Sequence, residues 1–208
     1  ALTANSSGTD NTAVGFSAGD AVTTGSDNTF VGDNAGGATT TADNNTAVGA
    51  SALLVNSTGA DNTAIGGLAL TANTTADYNT AVGKSAGGAI TTGAANTAVG
   101  KSALETVTTA ANNTALGAYA LRVSTGGASN VAVGHSALIA NTTASNNVGI
   151  GTDSLKANTT GASNTAVGAN ALDANTTASN NTAVGMAALG ANTTGALNTA
   201  VGLESLAA

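Results

Sequence analysis

Asn-Thr-Ala-Val-Gly, at residues 11–15, is the stretch that decides the fold, because related pentapeptides return along the chain with a fixed 17-residue period. We number the repeat from its asparagine, position 1, to position 17. There are twelve copies, with no insertion or deletion between them. The asparagine at position 1 and the glycine at position 5 occur in every copy: Asn11 and Gly15, Asn28 and Gly32, Asn45 and Gly49, Asn62 and Gly66, Asn79 and Gly83, Asn96 and Gly100, Asn113 and Gly117, Asn130 and Gly134, Asn147 and Gly151, Asn164 and Gly168, Asn181 and Gly185, Asn198 and Gly202.

A fixed period of this length predicts a solenoid in which each repeat stacks on the next, and the short strands described below predict that it is all-β. The repeat runs through residues 1–208 without a linker, so we predict a single domain. Both termini fall inside a repeat, and we expect a segment of a longer chain or a processed product.

The pentapeptide itself predicts a short strand. Position 4 is aliphatic in every copy, and position 2 is Thr except at Val131 and Val148. Alternation along a strand places positions 2 and 4 on one side, which we interpret as the interior, with the alanine at position 3 outside. The predicted core therefore includes Val14, Val31 and Val48. The glycine that follows predicts a corner with positive φ or a close backbone approach.

A second strand is predicted at residues 52–55, Ala-Leu-Leu-Val, in preference to a helix, because such segments are short and rich in Thr. Position 9 supplies further predicted core residues: Leu53, Leu70, Leu104, Leu121, Leu138, Leu155, Leu172 and Leu189. Three copies have glycine there instead, and we expect the residue three places on to refill the lost volume: Gly19 with Val22, Gly36 with Thr39, and Gly87 with Ile90.

The remainder of the repeat is a polar turn in two alternating forms. Position 15 is Gly at residues 25, 59, 93, 127, 161 and 195, and Ala at residues 42, 76, 110, 144 and 178. This alternation predicts a 34-residue superperiod. One turn of the solenoid could contain a single repeat or a pair of repeats, and the sequence alone leaves both open.

Composition limits the classes of function. The net charge is -7 from 15 charged residues, and no basic stripe is present, so a nucleic-acid partner is disfavoured. There is no Cys, and no apolar run approaches the ~20 residues that span a bilayer. A surface of Thr, Asn and Ser with only 7% charged residues favours an extracellular, cell-surface or virion location.

We also expect self-association. Each repeat offers about two large aliphatic side chains, which makes an isolated thin solenoid marginally stable. The alanine columns, at positions 3 and 8, are flat surfaces on which another chain could pack closely. A homo-oligomer, or a filament of chains stacked end to end, is therefore predicted.

Residues 164–172, Asn-Thr-Ala-Val-Gly-Ala-Asn-Ala-Leu, followed by Asn-Thr-Thr at 175–177, resemble the repeat arrays of phage-type tail fibre proteins. They are also similar to the head repeats of trimeric autotransporter adhesins, although those repeats are usually shorter. The resemblance covers the whole chain. It implies a parallel β-roll, three identical chains side by side, a fibre or adhesin role, and a host-surface glycan or receptor as a possible partner.

Catalytic and metal-binding signals are weak, and we predict no enzyme activity, cofactor or metal. His135, the only histidine, occupies position 6, which varies from copy to copy. Asp10, Asp27 and Asp61 share position 17 and could attract a cation if one turn contains a single repeat. Most copies also have Thr at positions 13 and 14, and such columns could bind ice by matching ordered water. The preferred prediction is a structural fibre or filament protein, with ice binding as the alternative.

Overall fold

The computed structural model describes residues 1–207, and within that range the secondary structure is twelve short strands without a helix. All twelve strands pair in one parallel sheet in chain order. The strands are β1 (Thr12–Val14), β2 (Thr29–Val31), β3 (Thr46–Val48), β4 (Thr63–Ile65), β5 (Thr80–Val82), β6 (Thr97–Val99), β7 (Thr114–Leu116), β8 (Val131–Val133), β9 (Val148–Ile150), β10 (Thr165–Val167), β11 (Thr182–Val184) and β12 (Thr199–Val201).

Each strand pairs with the next at an offset of one repeat, so Thr12 lies opposite Thr29 and Val14 opposite Val31. One turn of the solenoid therefore contains a single repeat, which confirms the predicted parallel β-solenoid and decides between the two turn lengths. At ~4.8 Å between paired strands, the twelve strands span about 53 Å.

The strand faces are the reverse of the prediction. Ala47, at the centre of β3, is fully buried, whereas Thr46 and Val48 on either side are half-exposed. The assignment of Val14, Val31 and Val48 to the core is therefore wrong, and Val14 is 59% exposed. Alternation fixes only that positions 2 and 4 share a side. The interior is narrow and already contains the leucines of position 9, so at position 3 it has room only for a side chain as small as the methyl group of alanine.

The interior is filled by those leucines and by the alanines of positions 3 and 8. The predicted position 9 residues Leu53, Leu70, Leu104, Leu121, Leu138, Leu155 and Leu172 are fully buried, and Leu189 is 4% exposed. In the glycine copies Val22, Thr39 and Ile90 are also fully buried. Phe30 lies between Gly19 and Gly36, and a Cβ atom on Gly36 would come 2.4 Å from its ring. Sequence reasoning missed this buried aromatic.

The predicted second strand at residues 52–55 is wrong, because this segment forms turns. Ser51 and Leu53 have φ angles of 56° and 53°, in the left-handed region, which is incompatible with an extended strand. The segment still bonds to its neighbouring turn, since the Leu53 N–H donates to the Ala69 carbonyl at 2.9 Å. The segment is a curved, non-strand part of each turn that is hydrogen-bonded to the equivalent segment of the next turn.

The inverted faces give a direct prediction for two leucines. Leu104, at position 9, is fully buried, whereas Leu116, at position 4, is 39% exposed. We expect Leu104→Ala to lower the free energy of unfolding by about 2–5 kcal/mol, because it leaves a cavity. Leu116→Ala should cost less than about 1 kcal/mol in the dissociated chain. Urea unfolding at low protein concentration measures both, and equal losses would contradict this assignment of the faces.

Candidate interaction surfaces

The position 1 asparagines form a buried ladder that sets the register of the turns. Asn28 through Asn181 at this position are 0–1% exposed, and the terminal members Asn11 and Asn198 are half-buried. The Oδ1 atom of Asn96 accepts from the Asn113 main-chain N–H at 3.0 Å, and its Nδ2 donates to the Ala110 carbonyl at 3.0 Å. The Asn96 main-chain N–H in turn donates to Asn79 Oδ1 at 2.9 Å, so each inner asparagine joins its own turn to both neighbours.

Asparagines at position 12 form two further short ladders, at residues 56 and 73 and at residues 141, 158, 175 and 192. Asn73 Nδ2 donates to Asn56 Oδ1 at 3.0 Å and to the Ala76 carbonyl at 3.0 Å. Asn158 and Asn141 repeat the first of these bonds at 2.9 Å. The buried amides satisfy carbonyl groups of the polar turn, which would otherwise lack partners inside the coil.

The position 5 glycines have φ angles between 126° and 136°, a region that side chains with a Cβ atom rarely occupy. Neighbouring turns also approach closely here. A Cβ atom on Gly100 would lie 2.6 Å from the carbonyl carbon and oxygen of Gly117. The predicted corner therefore has both properties that require glycine.

The outward side chains at positions 2 and 4 form a continuous surface, the Thr/Val face, along all twelve strands. Its aliphatic row is partly exposed, with values of 36% at Val99, 39% at Ile150 and 70% at Val201. Neither position carries a charged residue in any copy. A long exposed apolar patch without charge is typical of an interaction site.

Two rows of exposed side chains border this face. Position 17 directly precedes the position 1 asparagine, and it forms the acidic edge, which contains Asp10, Asp27 and Asp61. Position 6 directly follows the corner glycine, and it forms the basic edge, which contains Lys84, Lys101 and His135 and one acidic residue, Asp33. Because the strand lies between them, the two edges are at opposite ends of every strand.

An aromatic and cationic cluster lies at the basic edge. The Tyr119 ring centroid is 5.5 Å from Lys101 Nζ and 5.6 Å from the Arg122 guanidinium carbon. The His135 ring meets the Tyr119 ring edge-on, with centroids 5.8 Å apart. Tyr119, chiefly through its hydroxyl, raises the pKa of Lys101 above its ordinary value, and Glu105 adds a smaller electrostatic effect in the same direction. The Lys101 ammonium therefore keeps its positive charge to higher pH than an ordinary lysine.

The other sequence candidates are dispersed. Asp10 and Asp27 do lie on neighbouring turns, but residues 1–207 contain no group of three or more His, Asp or Glu side chains that could hold a metal ion. The hydroxyl groups of the position 13 threonines are hydrogen-bonded within the coil, since Thr74 Oγ1 donates to the Thr91 carbonyl at 3.1 Å.

Across the described part of the chain, no helix has the length and apolar character needed to cross a membrane.

Comparison with known proteins gives no assignment, because family models, curated proteins and solved structures all lack a match to this chain.

Proposed function

We propose that this chain is a non-catalytic structural protein, the shaft of an extracellular fibre such as a phage tail fibre or a bacterial surface adhesin. In the proposed assembly, copies of the chain pack side by side through the Thr/Val face. The observation that carries the proposal is the partly exposed aliphatic row, free of charge, along the full length of the sheet. The proposed position of the interface differs from the sequence expectation, since the alanines of positions 3 and 8 are buried within the coil.

The size of this face supports self-association. The twelve strands span about 53 Å, and a width of about 15 Å covers a strand and its flanking residues, which gives about 800 Å². Specific protein interfaces bury about 800 Å² on each partner. A second copy that covered the whole face would therefore form an interface of ordinary size.

Charged substitutions on the face provide the test. We expect the double variant Val99→Lys, Ile150→Lys to lose self-association and remain folded, because both side chains are already more than one third exposed. Light scattering measures the molar mass, and circular dichroism reports the fold. The matched control places the same lysines at exposed position 14 sites, Thr92→Lys and Thr143→Lys, and should associate like the unchanged chain. A monomeric unchanged chain at tens of micromolar would contradict the proposed assembly.

Three copies is the number that the tail fibre and adhesin resemblance implies, and the same light-scattering experiment determines it. A filament of chains stacked end to end is the alternative, since β1 and β12 each pair on one side only. Electron microscopy distinguishes separate particles from filaments. In either assembly, the proposed partners are other copies of the chain and a glycan or receptor on a host surface.

The proposed 34-residue superperiod has support in the contacts between neighbouring turns. A Cβ atom on Gly93 would lie 2.2 Å from the Ala110 carbonyl oxygen, so this contact requires glycine on one of the two turns. The Ala60 N–H donates to Asp77 Oδ1 at 2.8 Å across a similar pair of turns. An axial repeat of about 9.6 Å beside the one of about 4.8 Å in an electron-microscopy reconstruction would test the pairing.

Ice binding is the second candidate, and one observation favours it. The position 2 threonines stand on the exposed side of a regular sheet, spaced by ~4.8 Å along the solenoid. The position 13 threonines of the polar turn differ, since they donate their hydroxyls to main-chain carbonyls of the next turn, as Thr74 does to Thr91. Thermal hysteresis of the purified protein decides between the candidates, because a fibre shaft should show none.

A further inference from the structure

Charge is distributed unevenly along the solenoid. Residues 1–83 contain seven Asp and no Lys or Arg, whereas all four Lys and Arg lie within residues 84–156. The acidic edge is therefore charged in the first turns, and the basic edge is charged in the middle of the array. Opposite charges lie at opposite ends of the strands and at different heights along the axis.

The cations of the basic edge form no ion pair within the described part of the chain. Among residues 1–207, the ion pairs within 4.0 Å join the Ala1 ammonium to Asp20 and Lys156 to Asp153. Lys84 and Lys101 lie on neighbouring turns, ~4.8 Å apart along the axis, and they repel each other. This arrangement would be stabilised by carboxylates that come from another molecule.

The spacing of the acidic edge matches that of the basic edge. The acidic residues stand beside β1, β2 and β4, and the basic residues stand beside β5, β6 and β8. Both sets therefore have the pattern of two consecutive turns, one turn with an uncharged residue at the edge position (Asn44 or Ala118), and one further turn with an ionisable residue. An offset of four turns aligns three pairs: Asp10 with Lys84, Asp27 with Lys101, and Asp61 with His135. Every other whole-turn offset aligns at most one.

Two further features agree with this offset. With copies in register, Asp27 on the acidic edge would lie opposite Asp33 on the other edge, which is repulsive. In a parallel pair with opposed faces, the four-turn offset also places Phe16 opposite Tyr78. These two rings are 78% and 66% exposed in the single chain. An antiparallel pair with opposed faces would instead bring edges of the same kind together.

We propose that neighbouring copies of this chain pack parallel and offset by four turns, about 19 Å along the axis, with the acidic edge of one copy along the basic edge of the next. The contact is between two copies with opposed faces, since equal offsets at every contact cannot close a ring of three. Eight strands of each copy then lie opposite each other, about 34 Å of the face and about 500 Å² on each copy. The proposal rests on the proposed assembly through the Thr/Val face, and it adds the direction and the axial register of that assembly.

Disulfide cross-linking tests the register, because the chain has no cysteine of its own. One chain carries Asp61→Cys, and a second chain with a size tag carries His135→Cys. After mixing and mild oxidation, we expect the tagged and untagged chains to cross-link. The control mixes Asp61→Cys with tagged Gly67→Cys, which lies at the other end of β4 and would be opposite Asp61 in an in-register assembly. Little cross-linking is expected in the control.

The experiments distinguish failure of the four-turn offset from failure of the assembly through the Thr/Val face. Cross-linking through Gly67→Cys and not through His135→Cys, with association intact, would overturn the offset and leave the proposed assembly standing. A chain that stays monomeric by light scattering would overturn the assembly itself.

Charge reversal gives an independent measurement. The variant Lys84→Glu, Lys101→Glu and the variant Asp10→Lys, Asp27→Lys should each associate at least tenfold more weakly at low salt, whereas a chain with all four changes should recover. The left-handed backbone at position 17 also accommodates Tyr78, Ala95 and Leu197, so lysine there is compatible with the fold. Equal weakening in the four-site variant would overturn the pairing of these edges.

Discussion

Gly100→Ala is expected to destabilise the solenoid by more than about 3 kcal/mol. The φ angle of Gly100 is 127°, which costs an L-residue about 1–3 kcal/mol. The new Cβ atom would also lie 2.6 Å from the carbonyl carbon and oxygen of Gly117, which are backbone atoms held by the next turn. Relief of that contact requires the two turns to separate.

Gly126→Ala is the matched control for this change. The nearest atom to a Cβ at Gly126 is the Thr143 Cγ2 atom at 4.0 Å, and its φ is not in the left-handed region. Because alanine restricts the unfolded chain, this variant should be neutral or stabilised by up to about 1 kcal/mol. Urea unfolding followed by circular dichroism measures both variants. A similar stability of the two proteins would show that the turns are not in close contact at position 5.

Asn96→Ala is expected to cost about 3 kcal/mol or more. The Asn96 amide is 1% exposed and bonds to Asn79, Gly93, Ala110 and Asn113. Alanine would leave the Asn113 N–H and the Ala110 carbonyl buried without these partners, and each unsatisfied group costs about 1–3 kcal/mol.

Asn112→Ala makes the same chemical change on the surface. Asn112 is exposed, with a φ angle of 61°, so the expected cost is that of alanine in the left-handed region, about 1–2 kcal/mol. Hydrogen exchange adds a local measurement. Asn96→Ala should accelerate exchange of the Asn113 main-chain N–H, and Asn112→Ala should not. Slow exchange of Asn113 in the Asn96→Ala protein would contradict the ladder.

The period of the sequence was sufficient to predict a solenoid, because invariant residues at a constant spacing must occupy equivalent places. It could not identify the inner side of each strand. Val48 is more hydrophobic than Ala47, yet Ala47 is buried, because the space beside the leucines of position 9 admits only a small side chain. The prediction of a second strand was wrong for a related reason. A leucine in the sequence gives no sign that its backbone is left-handed, as it is at Leu53.

The prediction of the candidate surfaces was limited because the sequence left the length of the turn open. Asp10, Asp27 and Asp61 were recognised as one column, but their relation to Lys84 and Lys101 required the strand to lie between the two edges. The Tyr119 cluster could not be predicted, because its members come from positions 6, 7 and 10 on successive turns. Once one turn is known to contain a single repeat, the sequence places the two edges at opposite ends of the strands and places Lys101, Tyr119 and His135 on successive turns.

Distances between spin labels on single chains test the length of the turn most directly. Labels on cysteines at exposed position 14 sites would compare Thr58 with Thr143, five turns apart, and Thr24 with Thr194, ten turns apart, in samples diluted with unlabelled protein. The solenoid predicts separations of about 24 Å and about 48 Å between the backbone sites. Separations near half those values, or broad distributions that do not double with the number of repeats, would contradict a coil that rises by one strand spacing for every repeat.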